Sequence, residues 1–173
     1  MRLPGPYSFS TMIFKRRMNN MEDMIMNNAK ILGGRFRNFR GEASKFNQKG
    51  SRNFCVLLDA DMATMLADQG WNVKTLMDRE TGEVNGYFTQ MVLNYGFENN
   101  QPKVYRVVNG KAMLLNEEEV GSLDFDPIVS ADLIIYPHPS VDESTGATRY
   151  KGYVKKMYVH IESDPFADKY EFV

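Results

Sequence analysis

The stretch VYRVVNGKAMLL, Val104 to Leu115, decides the fold. Two apolar runs flank Asn109-Gly110, and a two-residue Asn-Gly loop supplies the positive φ angles of a type I′ turn. An antiparallel β-hairpin is expected here, and its period-two pattern of β-branched and aromatic residues recurs along the chain in both directions. Candidate strands cover 30–39, 52–58, 71–78, 86–97, 103–108, 111–115, 131–137 and 149–162, bounded by Gly, Asn, Pro and Asp clusters. Thr81-Gly82 and Asn85-Gly86 separate LMDR from YFTQMVLNY by a slightly longer connection.

Helix is scarce. Asp61 is placed to cap Met62–Gln69, where Met62, Met65 and Leu66 share one face and Gly70 provides the stop. A second short turn, Glu117–Leu123, is opened by Asn116 and begins with three glutamates suited to the positive end of a helix. Eight short strands and two brief helices imply a mainly β domain, an antiparallel barrel or sandwich. Strands do not alternate with long helices, so a parallel sheet is not expected.

A chain of 173 residues with 43% apolar and 12% aromatic side chains can build one core, so one domain is expected. The longest apolar runs are about five residues against the roughly 20 needed to span a bilayer, which points to the cytoplasm. The single Cys55 and two histidines, His138 and His160, allow neither an internal disulfide nor a zinc site of the usual type, and no cofactor is expected. Residues 1–28 hold six of the twelve methionines without a sustained apolar period and read as a poorly ordered extension. Translation starting at Met21, Met24 or Met26 fits that reading, with Lys15-Arg16-Arg17 the decoded image of a purine-rich ribosome-binding site. N-terminal sequencing that found Met1 or Arg2 would sink it.

Charge is unevenly spread. Residues 1–56 carry eleven Lys/Arg against three Asp/Glu, while the remainder carries ten against nineteen. The basic excess peaks in RFRNFRGEASKFNQKGSRNFCV, Arg35–Val56. As a strand, its first part would put Arg35, Arg37 and Phe39 on one side and Phe36, Asn38 and Arg40 on the other. Two readings are open: an edge strand whose arginines discourage edge-to-edge pairing, or a surface where cations meet phosphates and rings stack on bases. The loop that follows favours the second, because Lys45, Phe46 and Lys49 lie between two glycines in a segment too polar for the core. Phe46 either stacks outward or tucks beneath the loop.

FCVLLDAD, Phe54–Asp61, ends in two carboxylates spaced to hold Mg²⁺, the basis of a nuclease alternative, yet no third carboxylate, base or phosphate loop accompanies them. Trp71 shares a strand side with Val73, Thr75 and Met77 and reads as core, which turns Lys74 outward. In GYVKKMYVHI, alternation separates Tyr153, Lys155, Met157, Val159 and Ile161 from Val154, Lys156, Tyr158 and His160. The second set reads as solvent-facing and makes Lys156 and Tyr158 contact candidates. The end, 163–173, is acidic and aromatic: Asp164, Phe166, Asp168, Glu171 and Phe172 suit a tail that docks on partner proteins and competes with nucleic acid for the basic surface.

With these residues in view, the chain resembles the single-stranded-DNA-binding proteins of tailed bacteriophages and prophages. The resemblance runs from about Ala29 to Ile161. It rests on RNFRGEASKFNQKGSRNFCVLLD followed by a short helix and GWNVK, on LIIYPHP, and on KGYVKKMYVHI. It implies an OB-fold at 29–162, a curved face that binds single strands, and a role in phage DNA replication, recombination or repair in the bacterial host. Eight strands exceed the five of a typical OB-barrel, which makes the 103–115 hairpin an addition. On transfer, Arg35, Phe36, Arg37, Phe39, Arg40, Lys45, Phe46, Lys49 and Arg52 match the region picked from charge and rings. The tail is similar to the acidic, Phe-ended tails of such proteins, although it ends in Val173.

The function expected is thus non-enzymatic binding of single-stranded DNA with little sequence preference. The alternatives are a phage effector that binds a host protein, such as a defence inhibitor, and a Mg²⁺-dependent nuclease. A homodimer through an exposed sheet edge or the tail is open. Replacing Arg35, Arg37 and Arg40 together is expected to weaken binding at a nearly unchanged thermal midpoint.

Overall fold

The computed structural model describes residues 11–17 and 20–163. Its strands in chain order are β1 (Thr11–Arg17), β2 (Asn20–Ala29), β3 (Arg37–Asn38), β4 (Arg52–Leu58), β5 (Val73–Met77), β6 (Val84–Leu93), β7 (Lys103–Val108), β8 (Lys111–Leu115), β9 (Ile128–Val141) and β10 (Thr148–Ile161). One helix, α1 (Ala60–Gln69), follows β4, and short 3-10 turns occupy Gly34–Phe36 and Val120–Asp124. Among the described residues no helix is long and apolar enough to cross a membrane.

The strands form one sheet in the order β1-β2-β9-β10-β6-β4-β3, with β5 added to β6 and the β7–β8 hairpin added to β10. The sheet curls into an open half-barrel, mainly β as the sequence implied. β10 organises it. One edge pairs antiparallel with β9 from Thr148 to Ile161; the other is shared, Gly152 and Tyr153 pairing with β6 and Lys156 to His160 with β7. Both of these shared pairings are parallel, a feature not expected from the sequence.

The inner face is filled by Phe39, Phe54, Met91, Leu133, Ile135, Met157 and Val159, all at most 1% exposed, and by Met62, Ala63 and Leu66 of α1. The N-cap of α1 is Asp59, whose carboxylate accepts the Met62 N–H at 2.8 Å, rather than Asp61. The helix begins two residues earlier than its apolar spacing suggested because the cap fixes the start. Trp71 is core, 3% exposed and stacked on Tyr150.

Two segments differ from the sequence reading. Within 1–28, expected to be poorly ordered, residues 11–17 form β1 and 20–28 most of β2; β2 pairs with β1 and β9 and alternates Met24 and Met26 into the core. Methionine fills irregular core gaps but lacks the β-branched signature of a strand, so the sequence shows no strand period there. Residues 30–39 are not one strand: Ile31 bridges Val56, a 3-10 turn follows, and only Arg37 and Asn38 pair with β4. Gly33-Gly34 interrupts the extension, with Gly34 at φ +59°.

Candidate nucleic-acid interface

The outer face of the sheet, opposite the core, carries rings. On β10 a register shift lies between Val154 and Lys156 opposite β9, where Val154 faces Ile135 and Lys156 faces Ile134. One extra residue in one strand is a β-bulge, and past it the inward and outward sets exchange places. Gly152 and Val154 point inward before the bulge, Met157, Val159 and Ile161 after it. The outward set is therefore Tyr153, Lys156, Tyr158 and His160. Uninterrupted alternation had assigned Tyr153 and Lys155 to the core; instead Tyr153 is half-exposed, and Lys155 is exposed and ion-paired with Asp23 at 2.9 Å.

Three ring stations follow from this register. At the first, Phe36 meets Phe88 of β6 edge to face with centroids 5.1 Å apart; Arg35 lies over Phe36, and Lys74 of β5 pairs in register with Phe88. At the second, Tyr153 stacks on His138 of β9 at 4.9 Å, Tyr136 stands 6.2 Å from that imidazole, and Lys151 lies opposite His138. At the third, Tyr158 stacks on Tyr105 of β7 at 4.6 Å, and the Lys156 ammonium sits 5.5 Å and 5.6 Å from the two ring centroids. Hydrogen bonding to Tyr158 raises the Lys156 pKa.

The stations are in line. β6 and β10 run parallel with Val92 beside Tyr153, so Phe88 lies four residues to one side of the middle station and Tyr158 a similar distance to the other. At about 3.3 Å per residue each step is roughly 13 Å. Half-exposed rings with cations beside them on a face that no helix among the described residues covers are the arrangement that base stacking with phosphate neutralisation requires.

The basic loop between β3 and β4 joins this face. Asn47 donates from its amide to the carbonyls of Glu42, Gln48 and Ser51, and Asn53 on the outer face donates to the Asn47 carbonyl oxygen at 2.9 Å. Gly50 N–H closes the loop on Gly41 O at 2.8 Å. The loop is thus pinned rather than loose, and its tip presents Phe46, 92% exposed, with Lys45 over the ring at 5.7 Å and Lys49 exposed nearby. Of its two open positions, Phe46 takes the outward one.

Four sequence candidates do other work. Phe39 is fully buried and stacked on Phe54, so it is core and not a base platform. Arg37 donates to the carbonyls of Leu32, Leu123 and Asp126, and burial lowers its pKa against the opposing pull of Asp124 and Asp126. Arg52 donates to the Phe39 carbonyl. Arg40 is bound to Asp124 at 2.9 Å and Glu42 at 3.0 Å with its guanidinium over Phe125. The expected alternation of the arginines fails because the chain turns there, and Asp124, whose carboxylate also accepts the Phe39 and Arg40 N–H groups, gathers that turn. Arg37→Met is expected to lower stability by about 2 kcal/mol, since a charged donor to buried carbonyls is lost, while the oligonucleotide affinity of the folded protein stays within twofold. Urea unfolding beside a binding titration checks it; the reverse pattern would return Arg37 to the interface.

The rings that sequence missed are Tyr105, Phe88, Tyr136, His138 and Tyr153. For Tyr136 and His138 the signal was present, because Leu133, Ile135 and Pro137 alternate with them in LIIYPHP. Cys55, next to Lys74, is a buried thiol whose pKa burial pushes up to about 11. The proposed tail residues Asp164, Phe166, Asp168, Glu171 and Phe172 lie outside the described residues.

Three solved structures are similar in overall shape. They are the single-stranded DNA-binding protein from bacteriophage Enc34 in complex with ssDNA, at TM-score 0.49 and 9% identity, its C-terminal truncation, at 0.47 and 8%, and a further structure of the Enc34 single-stranded DNA-binding protein, at 0.47 and 8%. Each match covers 90% of this chain, and 98%, 98% and 93% of the respective neighbour. No curated protein matches the chain. The family model described as "Putative phage ssDNA-binding domain" matches residues 13–173. With that span, nearly the whole sequence, the chain belongs to the phage ssDNA-binding domain family.

Proposed function

We propose that this protein binds single-stranded DNA along the outer face of its sheet, with bases stacked at the three ring stations and on Phe46, and phosphates met by Arg35, Lys45, Lys49, Lys74, Lys151 and Lys156. Family membership supports the ligand. The in-line placement of Phe36/Phe88, Tyr153/His138 and Tyr158/Tyr105 on one uncovered face supports the surface and carries the reading. Stacking accepts every base, so little sequence preference follows. A coating of this kind serves DNA replication, recombination or repair. The acidic aromatic end after Ser163 is proposed to dock partner proteins and to compete with DNA for the basic face.

A titration of labelled oligo-dT against duplex, at two salt concentrations and with and without EDTA, tests the reading. Tight oligo-dT binding that is insensitive to EDTA and falls with salt is expected, the slope of log K against log salt shrinking by about 0.7 for each phosphate contact removed. Lys74→Ala and Lys156→Ala should each reduce the slope by about that amount. The chain ending at Ser163 should bind more tightly than the full chain if the end competes. Absence of oligo-dT binding at low salt would defeat the proposal, and EDTA-sensitive strand cleavage would return attention to Asp59 and Asp61.

A further inference from the structure

β8 is an edge strand that presents its own complement. Its hairpin with β7 closes on the pair Val108–Lys111 around Asn109 and Gly110, at φ 51° and 77°. The closing pair of a two-residue hairpin is hydrogen-bonded, and bonded pairs alternate along the ladder. Lys111, Met113 and Leu115 therefore turn their N–H and C=O groups toward β7, and Ala112 and Leu114 turn theirs away. Among the described residues β8 pairs with β7 alone. Met113 and Leu114 are each 54% exposed. Natural edges are commonly protected by proline, a bulge or inward charge, and β8 carries only Lys111.

We propose that two copies of this chain join by antiparallel pairing of β8 with β8 about a two-fold axis at Met113. In that register Ala112 of each copy lies opposite Leu114 of the other, and every outward N–H and C=O of the four residues finds a partner. The neighbouring register, with its axis at Leu114, would pair Ala112 with Asn116. Asn116 is already engaged: its N–H donates to the Glu119 carboxylate at 3.1 Å, and its carbonyl accepts from Glu119 and Val120. Charge fits the Met113 register as well, because Lys111 comes diagonal to Glu117 of the second copy at both ends, within reach of a long side chain. The two sheets then continue through the axis with their outer faces on the same side. Tyr105 of the two copies lies three strand spacings apart, about 15 Å, which joins the two ring ladders into one surface.

Sedimentation equilibrium without DNA reads this directly. The unaltered chain is expected at twice its chain mass in the micromolar range. Ala112→Pro removes an outward donor while sparing the bonds to β7, and Met113→Glu places two like charges at the axis; each is expected at monomer mass with unchanged circular dichroism. Mixing Met113→Glu with Met113→Lys should restore the dimer, which keeps the test decisive if Ala112→Pro fails to fold. A monomeric unaltered chain overturns the proposal, as does a dimer that survives both substitutions. Oligomeric state and oligo-dT binding are separate readouts: a monomer that binds refutes only the pairing, and a dimer that does not bind refutes only the proposed function.

Discussion

Replacing Tyr153 and Tyr158 together by alanine is expected to weaken oligo-dT binding by a factor of roughly 30 to 20,000 at low salt. Each ring that stacks a base contributes about 1–3 kcal/mol, and about 1.4 kcal/mol is tenfold in affinity. The two stations are roughly 13 Å apart along β10, far enough for their effects to add. The single variants should each lose about 5- to 150-fold. Fluorescence titration reads the affinity, and near-ultraviolet circular dichroism confirms that the half-exposed rings left without unfolding the core. A double variant within threefold of the unaltered chain would remove the outer face from consideration. Phe46→Ala is the cleanest companion, because a side chain 92% exposed has little packing to lose.

Gly70→Ala is expected to cost about 3 kcal/mol of stability, against about 1 kcal/mol for Gly82→Ala. Both glycines adopt positive φ, +105° and +70°, and a side chain in that region costs on the order of 1–2 kcal/mol. The difference lies in what a Cβ would meet. At Gly82 nothing stands within 4 Å, whereas at Gly70 the Cβ would fall 2.5 Å from the Thr148 carbonyl oxygen. Backbone is the obstacle there and has no rotamer to change. Gly70 ends α1 and its carbonyl accepts the Tyr150 N–H at 3.1 Å, so a shift would also pull the helix away from β10. Urea unfolding of the two variants measures the contrast; equal losses would mean that φ alone governs both sites.

The sequence reading succeeds where local chemistry is self-sufficient. Asn109-Gly110 closes the β7–β8 hairpin as its φ preference requires, Gly70 ends α1, and Lys45, Phe46 and Lys49 lie on an exposed loop. Asn116 opens the second turn as expected, its side-chain carbonyl accepting the Glu119 N–H at 2.8 Å, and the Glu119 carboxylate returns a bond to the Asn116 N–H at 3.1 Å that the sequence reading did not include. It fails where distant residues decide. Arg37 resembles Arg35 in sequence, and only the arrival of Leu123 and Asp126 from about 86 residues away makes one a structural pin and leaves the other exposed. The parallel pairings of β10 depend on which strands reach its second edge, which period-two patterning does not specify. Met24 and Met26 enter the core through β9, so their strand is visible only with its partner.

The bulge at Lys155 couples residue number to the face on which each ring stands. Tyr153 and Tyr158 are five residues apart, an odd interval that a regular strand would place on opposite faces. Their shared face depends on one additional residue. Deleting Lys155 would remove the bulge and leave an interval of four that keeps both rings outward, whereas smoothing the bulge with every residue retained would rotate Met157, Val159 and Ile161 to solvent and turn Tyr158 and Lys156 inward. Relatives should therefore carry either the five-residue interval with its bulge or a four-residue interval without one, even where they share none of its letters.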